Sequence, residues 1–181
     1  MRAPTWVAAA TVAAAPATAF AVDYLSAEQA ARSIFPDADR FETQDITLDA
    51  AQMRKLDEDG VRARSARWSL RAAKKQAQTL GWVVIDEVIG KFELITYAVA
   101  IDAGGVLRQL EVLSYRESHG GEIRLPAWRR QFVGKRVEGP LRVGEDIANI
   151  SGATLSCTHV TDGVRRIMAV LAVARADGLL P

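Results

Sequence analysis

Small and hydroxylated residues surround a glycine in the stretch Ile150-Ser151-Gly152-Ala153-Thr154-Leu155-Ser156, directly before a strongly periodic segment, 157–175. Gly152 leaves the backbone open, so a bulky ligand can approach without meeting a side chain. The start of a helix adds unpaired N–H groups and a partial positive charge, which together favour a phosphate. A hydroxyl at that point, Thr154, could carry such a phosphate as an ester. The plainer alternative is a tight turn whose serine and threonine cap the helix.

Other chemistry is sparse. The chain has two histidines, His119 and His159, and contains no HExxH, no G-x-S-x-G elbow and no G-x-x-x-x-G-K-[ST] loop. His119 stands in the polar loop Tyr115-Arg116-Glu117-Ser118-His119-Gly120-Gly121-Glu122-Ile123, where it either touches a ligand or is an exposed turn histidine. His159 reads as a side chain at a helix end. Cys157 is the only cysteine, which excludes an internal disulfide, a CxxC redox pair and a cysteine-ligated zinc. A lone cysteine in a first helical turn is expected to be a small buried hydrophobe.

Several elements must position these residues. From Gly81 the period is that of strands: Trp82-Val83-Val84-Ile85, a turn at Gly90, alternation of Ile95, Tyr97, Val99 and Ile101 over 94–102, a turn at Ala103-Gly104-Gly105, and a third strand over 106–115. Short glycine turns between closely spaced strands predict an antiparallel meander with one face buried. Spacing for βαβ units is absent, which argues against a parallel Rossmann sheet. Pro126 opens a short helix through Trp128 and Phe132 that ends near Gly134. In the last helix Val160, Val164, Ile167 and Leu171 form one stripe, with Arg165 and Arg166 facing elsewhere and Asp162 spaced to pair with Arg166.

Upstream, residues 22–80 read as a helical extension. Ser26-x-x-Gln29 and Asp49-x-x-Gln52 are capping boxes, predicting helices to about Phe35, before Pro36, and to about Asp57, before Gly60. Residues 62–75 hold six cations (Arg62, Arg64, Arg67, Arg71, Lys74 and Lys75) and no acid, which form a solvated face around Trp68 and Leu70 or meet an acidic partner. Residues 1–21 combine Arg2, an apolar stretch, Pro16 and an Ala19-Phe20-Ala21 cleavage site, the pattern of a secretory signal peptide. An uncleaved anchor is the rival, but Trp6 to Ala21 is 16 alanine-rich residues, short of the roughly 20 needed to span a bilayer. Residues 1–21 hold no twin-arginine pair, so any cofactor would be attached after export to a periplasmic or other extracytoplasmic space.

The chain's 181 residues, 49% hydrophobic and 25% charged, suit one domain with a real core. Of 23 Lys and Arg one is Arg2, leaving 22 basic against 22 acidic side chains after the leader, a balance that gives no chain-wide attraction to nucleic acid.

Ser151-Gly152-Ala153-Thr154, followed by Leu155-Ser156 and preceded by the 115–121 loop, Trp128 and the meander, resembles the FMN-binding domain family. That family includes the flavin-bearing domains of the C subunit of the sodium-pumping NADH:quinone oxidoreductase and the G subunit of Rnf complexes. The resemblance covers roughly 81–171, within a domain placed at 81–175, and implies an α+β fold. It implies FMN joined through its phosphate to Thr154, attached by a separate flavin transferase using FAD. It also implies that Ser151, Gly152, Ala153, Leu155 and Ser156 cradle that group, and that Glu117, Ser118, His119, Gly120 and Gly121 lie near the isoalloxazine. Trp128 is then a wall of the site, or else a core anchor. One departure is Ala148, where the family often has an acid three residues before the serine; Asp146 is the nearby substitute.

These expectations make the protein an exported electron carrier rather than a stand-alone enzyme, exchanging electrons with a membrane or periplasmic redox protein such as a cytochrome or iron–sulfur protein. No dinucleotide fingerprint brings NAD(P)H. A non-covalent flavin- or ligand-binding module, and a purely structural partner of a redox complex, are the other two readings.

Overall fold

The computed structural model describes residues 24–181, so the expected leader over 1–21 lies outside the described residues. The elements run α1 (Ala27–Ile34), β1 (Arg40–Thr47), α2 (Ala50–Glu58), β2 (Arg67–Lys75), β3 (Gln78–Ile89), β4 (Leu94–Asp102), β5 (Leu107–Tyr115), α3 (Pro126–Arg129) and α4 (Thr154–Ala176), with 3₁₀ turns at Gly121–Arg124 and Arg130–Phe132. The strands form one antiparallel sheet in sequence order, β1-β2-β3-β4-β5. The protein is an α+β fold built on a meander.

Both capping boxes form. Ser26 accepts from the Gln29 N–H while the Gln29 side chain accepts from the Ser26 N–H, and Asp49 and Gln52 repeat the exchange. The segment expected as a helical extension also contributes two strands to the sheet. Strand β1 is polar, with Ile46 its only buried residue, so it carries no alternation to read. In β2 the cationic run alternates with Trp68, Leu70 and Ala72: the apolar set enters the core, and Arg67 stays exposed. Of the six cations, Arg62 and Arg64 are exposed ahead of β2, Arg67 and Lys75 are exposed at its ends, and Arg71 and Lys74 are half-buried along it.

The sheet buries both faces. Trp82, Val84, Val88, Ile95, Tyr97, Val99 and Ile101 pack on the side of α4, whose Val160, Val164, Ile167 and Leu171 are all buried there. Fully burying each such side chain contributes about 1.5–3 kcal/mol. The other face is made of smaller residues, Ala73, Val83, Ala98 and Ala100, under Ala30, Ala31, Ile34 and Phe35 of α1. Beyond β5 the chain seals that edge: Leu107 N–H donates to Lys135 O and Gly134 N–H to Leu107 O, both at 2.8 Å.

Arg166 corrects the expected surface pair with Asp162. It is buried, and its Nη2 donates to Asp86 Oδ2 of β3 at 2.6 Å, where the Tyr97 hydroxyl also donates at 2.8 Å. Gly163 makes room for this cluster, because a Cβ there would overlap Tyr97 Oη and stand 2.9 Å from Cζ. The helix is covered on more than one side, since α2 also packs on it. A position off the main stripe therefore still falls inside. Burial, then the neighbouring Asp86 charge and its hydrogen bond, push the Tyr97 hydroxyl far above its ordinary range, so it remains a proton donor.

Candidate functional site

The Ser-Gly-Ala-Thr turn and the loop after β5 meet at one end of the sheet. Gly152 takes φ +82°, the left-handed conformation that a glycine adopts without strain, and Ala153 N–H donates to Ile150 O at 3.0 Å. This turn delivers Thr154 as the first residue of α4. Among the described residues no side chain caps that helix, so its first-turn N–H groups are left for a ligand. Thr154 is exposed, and its Oγ1 accepts from Asn149 Nδ2 at 3.1 Å.

The loop is locked onto the turn by close approach. A Cβ at Gly120, where φ is +84°, would overlap Ala153 Cβ and stand 2.8 Å from Tyr115 Oη. Tyr115 Oη donates to His119 O and lies 3.4 Å from Ser156 Oγ, joining β5, the loop and the first turn of α4. Between them opens a cavity of ≈ 470 Å³ lined by Lys91, Phe92, Glu117, Ser118, His119, Gly152, Ala153, Thr154, Leu155 and Ser156. Seven residues expected at the site from sequence sit around it with Thr154. His119 and Ser118 are exposed there, with His119 Nδ1 2.9 Å from Ser118 Oγ.

The remaining candidates lie elsewhere. Gly120 and Gly121 line an adjoining cavity on the other side of the loop with Tyr24 and Arg124. Ser151 is exposed in the turn but does not line the main cavity. Trp128 is 5% exposed, packs edge-on to Phe132 at 5.0 Å, and donates from Nε1 to Ala148 O at 2.8 Å. It braces the segment that leads into the turn and is not a wall of the cavity, because its ring is spent on the core and its N–H on that carbonyl.

Asp146, the acid nearest the position that Ala148 fills, is already committed. It accepts from Lys135 Nζ at 2.6 Å and from the N–H groups of Arg142 (2.8 Å) and Leu141 (3.3 Å). Burial opposes its ionisation, but Lys135 and these N–H groups outweigh that and hold its carboxyl below the usual range. Cys157 is fully buried, and burial raises its thiol, so it is an inert hydrophobe beside the site. His159 is more than a helix-end side chain: its Nδ1–H donates to Ile89 O at 2.6 Å. Sequence reasoning missed Asn149, Lys91 and Phe92 as neighbours of this site. Only a large aromatic in a polar hairpin turn, Phe92, gave any signal.

Residues 90–169 match the model of the FMN-binding domain family. This segment is an FMN-binding domain. It contains Thr154, the turn and every residue that lines the cavity. No curated protein matches the chain. Among solved structures, the crystal structure of NqrC from Shewanella oneidensis shares the fold, with a TM-score of 0.52 at 15% identity, covering 80% of this chain and 88% of that one.

The cavity fits the cofactor that the family names. An exposed hydroxyl, an uncapped helix start and a glycine turn suit the phosphate end, while Phe92 and Leu155 give the lining two large apolar surfaces.

Proposed function

We propose that Thr154 carries FMN as a phosphoester and that the protein is an exported electron relay. The observation that carries this reading is the exposed Thr154 hydroxyl at the uncapped start of α4, opening onto the ≈ 470 Å³ cavity inside the FMN-binding domain. FMN supplies the reversible uptake of electrons, while the chain sets its position and exposure.

Attachment needs an outside catalyst. Among the described residues the Thr154 hydroxyl has an amide and no base as its hydrogen-bond partner, and an amide does not take a proton from a hydroxyl. A flavin transferase with FAD as donor balances the step. The bond from Thr154 Oγ1 to phosphorus forms, the pyrophosphate bond of FAD breaks, AMP leaves, and the hydroxyl proton passes to a base of the transferase. The ester retains one negative charge, which the helix start stabilises by about 0.3–1 kcal/mol. Residues 1–21 supply the export signal, and a permanent bond keeps the cofactor from being lost outside the cytoplasm. Electrons then pass to and from a membrane or periplasmic redox protein.

A second reading, non-covalent flavin binding at the same cavity, is favoured by Ala148 standing where the family often has an acid and by Asp146 being engaged with Lys135. Denaturation separates the two. Protein made with a flavin transferase is unfolded and filtered: flavin that stays with the chain, on the peptide containing Thr154, supports the ester, and flavin in the filtrate supports the alternative.

A further inference from the structure

The turn between β3 and β4, residues 90–93, stands at the cavity and is fastened there from two sides. It closes on itself through Gly90 N–H to Glu93 O at 2.8 Å. Glu117, in the loop two residues beyond β5 and 24 residues further along than Glu93, accepts three consecutive turn N–H groups on a single oxygen, Oε1: those of Lys91, Phe92 (2.6 Å) and Glu93 (3.0 Å). A Cβ at position 90 would stand 2.6 Å from the same oxygen. From the opposite side His159 of α4 holds Ile89 O. The turn is thus tied to the β5 loop and to α4, the two segments that form the rest of the cavity.

Held this way, the turn presents Lys91 and Phe92 to the cavity, with Lys91 Nζ 4.9 Å from the centre of the Phe92 ring. Phe92 is the one apolar aromatic among the lining residues, His119 being the other ring, and it is 75% exposed. A flat apolar side chain in the wall of a ligand cavity is suited to stack on a planar ring. Glu117 is suited to a different task. Burial opposes its ionisation, yet the N–H groups of Glu93, Phe92 and Lys91 keep it charged, and its charge is spent on the backbone rather than offered to a ring that gains electron density.

We propose that residues 90–93 form a wall over the flavin ring, with Phe92 stacking on it, and that Glu117 is a positioning residue acting through this turn. The proposal rests on Thr154 holding FMN.

The test uses full-length protein made with a flavin transferase, with fluorescence read per FMN-bearing chain. Phe92→Trp lowers flavin emission several-fold, because an indole stacked on the ring donates an electron to its excited state where a phenyl ring does not, and Glu117→Ala in that background returns the emission partway. In the same chains without flavin, Glu117→Ala speeds hydrogen exchange at the 91–93 amides by about tenfold or more. Equal emission from wild type and Phe92→Trp, with the adduct present, overturns the wall alone. Unchanged exchange overturns the role of Glu117. Wild-type protein with no adduct overturns the reading of Thr154 and the wall with it.

Discussion

The two ends of α4 are built on opposite principles. From Val160 to Ala174 the helix is almost entirely buried against the sheet, down to an arginine that must find its partner inside. At Thr154 and Leu155 it is exposed, uncapped and open to a cavity. One end fixes the helix; the other end uses the fixed position. Substitutions at the packed end should therefore cost stability, and those at the open end should cost cofactor attachment with little effect on stability.

The largest loss is expected at the buried cluster. Asp86→Ala leaves Arg166 without its carboxylate partner and Tyr97 without its acceptor, costing about 3 kcal/mol in a denaturant melt. Gly163→Ala comes next. Displacing Tyr97 costs about 2–3 kcal/mol, and the better helix propensity of alanine returns only about 1. For a chain of this size each net kcal/mol lowers Tm by roughly 2–4 °C. If Gly163→Ala is neutral, the packed end is looser than described here.

The Glu117 clamp beside the open end does bear on stability, and pH tests it. Glu117 and Asp146 both ionise more readily in the folded chain than in the unfolded one. Their contribution is complete above the ordinary carboxylate range and is lost as pH falls through the lower folded value. The gap in Tm between wild type and Glu117→Gln should therefore shrink as pH is lowered from 7 towards 3. A gap that widens in acid contradicts the clamp at residues 91–93.

Much of this contrast was legible in the sequence, and its gaps have physical causes. Capping boxes, glycine turns and the Val160 to Leu171 stripe are local signals, and they located α1, α2, the β3-β4-β5 meander and α4. Strand β1 escaped because a polar strand with one buried residue alternates in nothing, and β2 because its cations drew attention from Trp68, Leu70 and Ala72 between them. Arg166 was misplaced for a different reason: only tertiary cover decides whether a position off the stripe is inside. At the site, Thr154 was found from its turn, whereas Lys91 and Phe92 reach it through Glu117, a contact that spans 24 residues or more. Trp128 entered through the family resemblance, which left open whether its ring faces a cavity or the core, and only its packing on Phe132 decides.

Asn149→Ala is expected to change least in the fold, under about 0.5 kcal/mol, because both it and Thr154 are exposed. It should slow attachment of FMN in a time course with the transferase, since Asn149 orients the accepting oxygen.

The most direct measurement is the intact mass of the protein made alongside an active flavin transferase, followed by mapping of the peptide that contains Thr154. The account predicts an FMN-sized increase on that peptide, absent in Thr154→Ala, while the melting curve of that variant's apoprotein stays within about 0.5 kcal/mol of wild-type apoprotein. An unmodified wild-type chain, or a flavin retained by Thr154→Ala after denaturation, would contradict it.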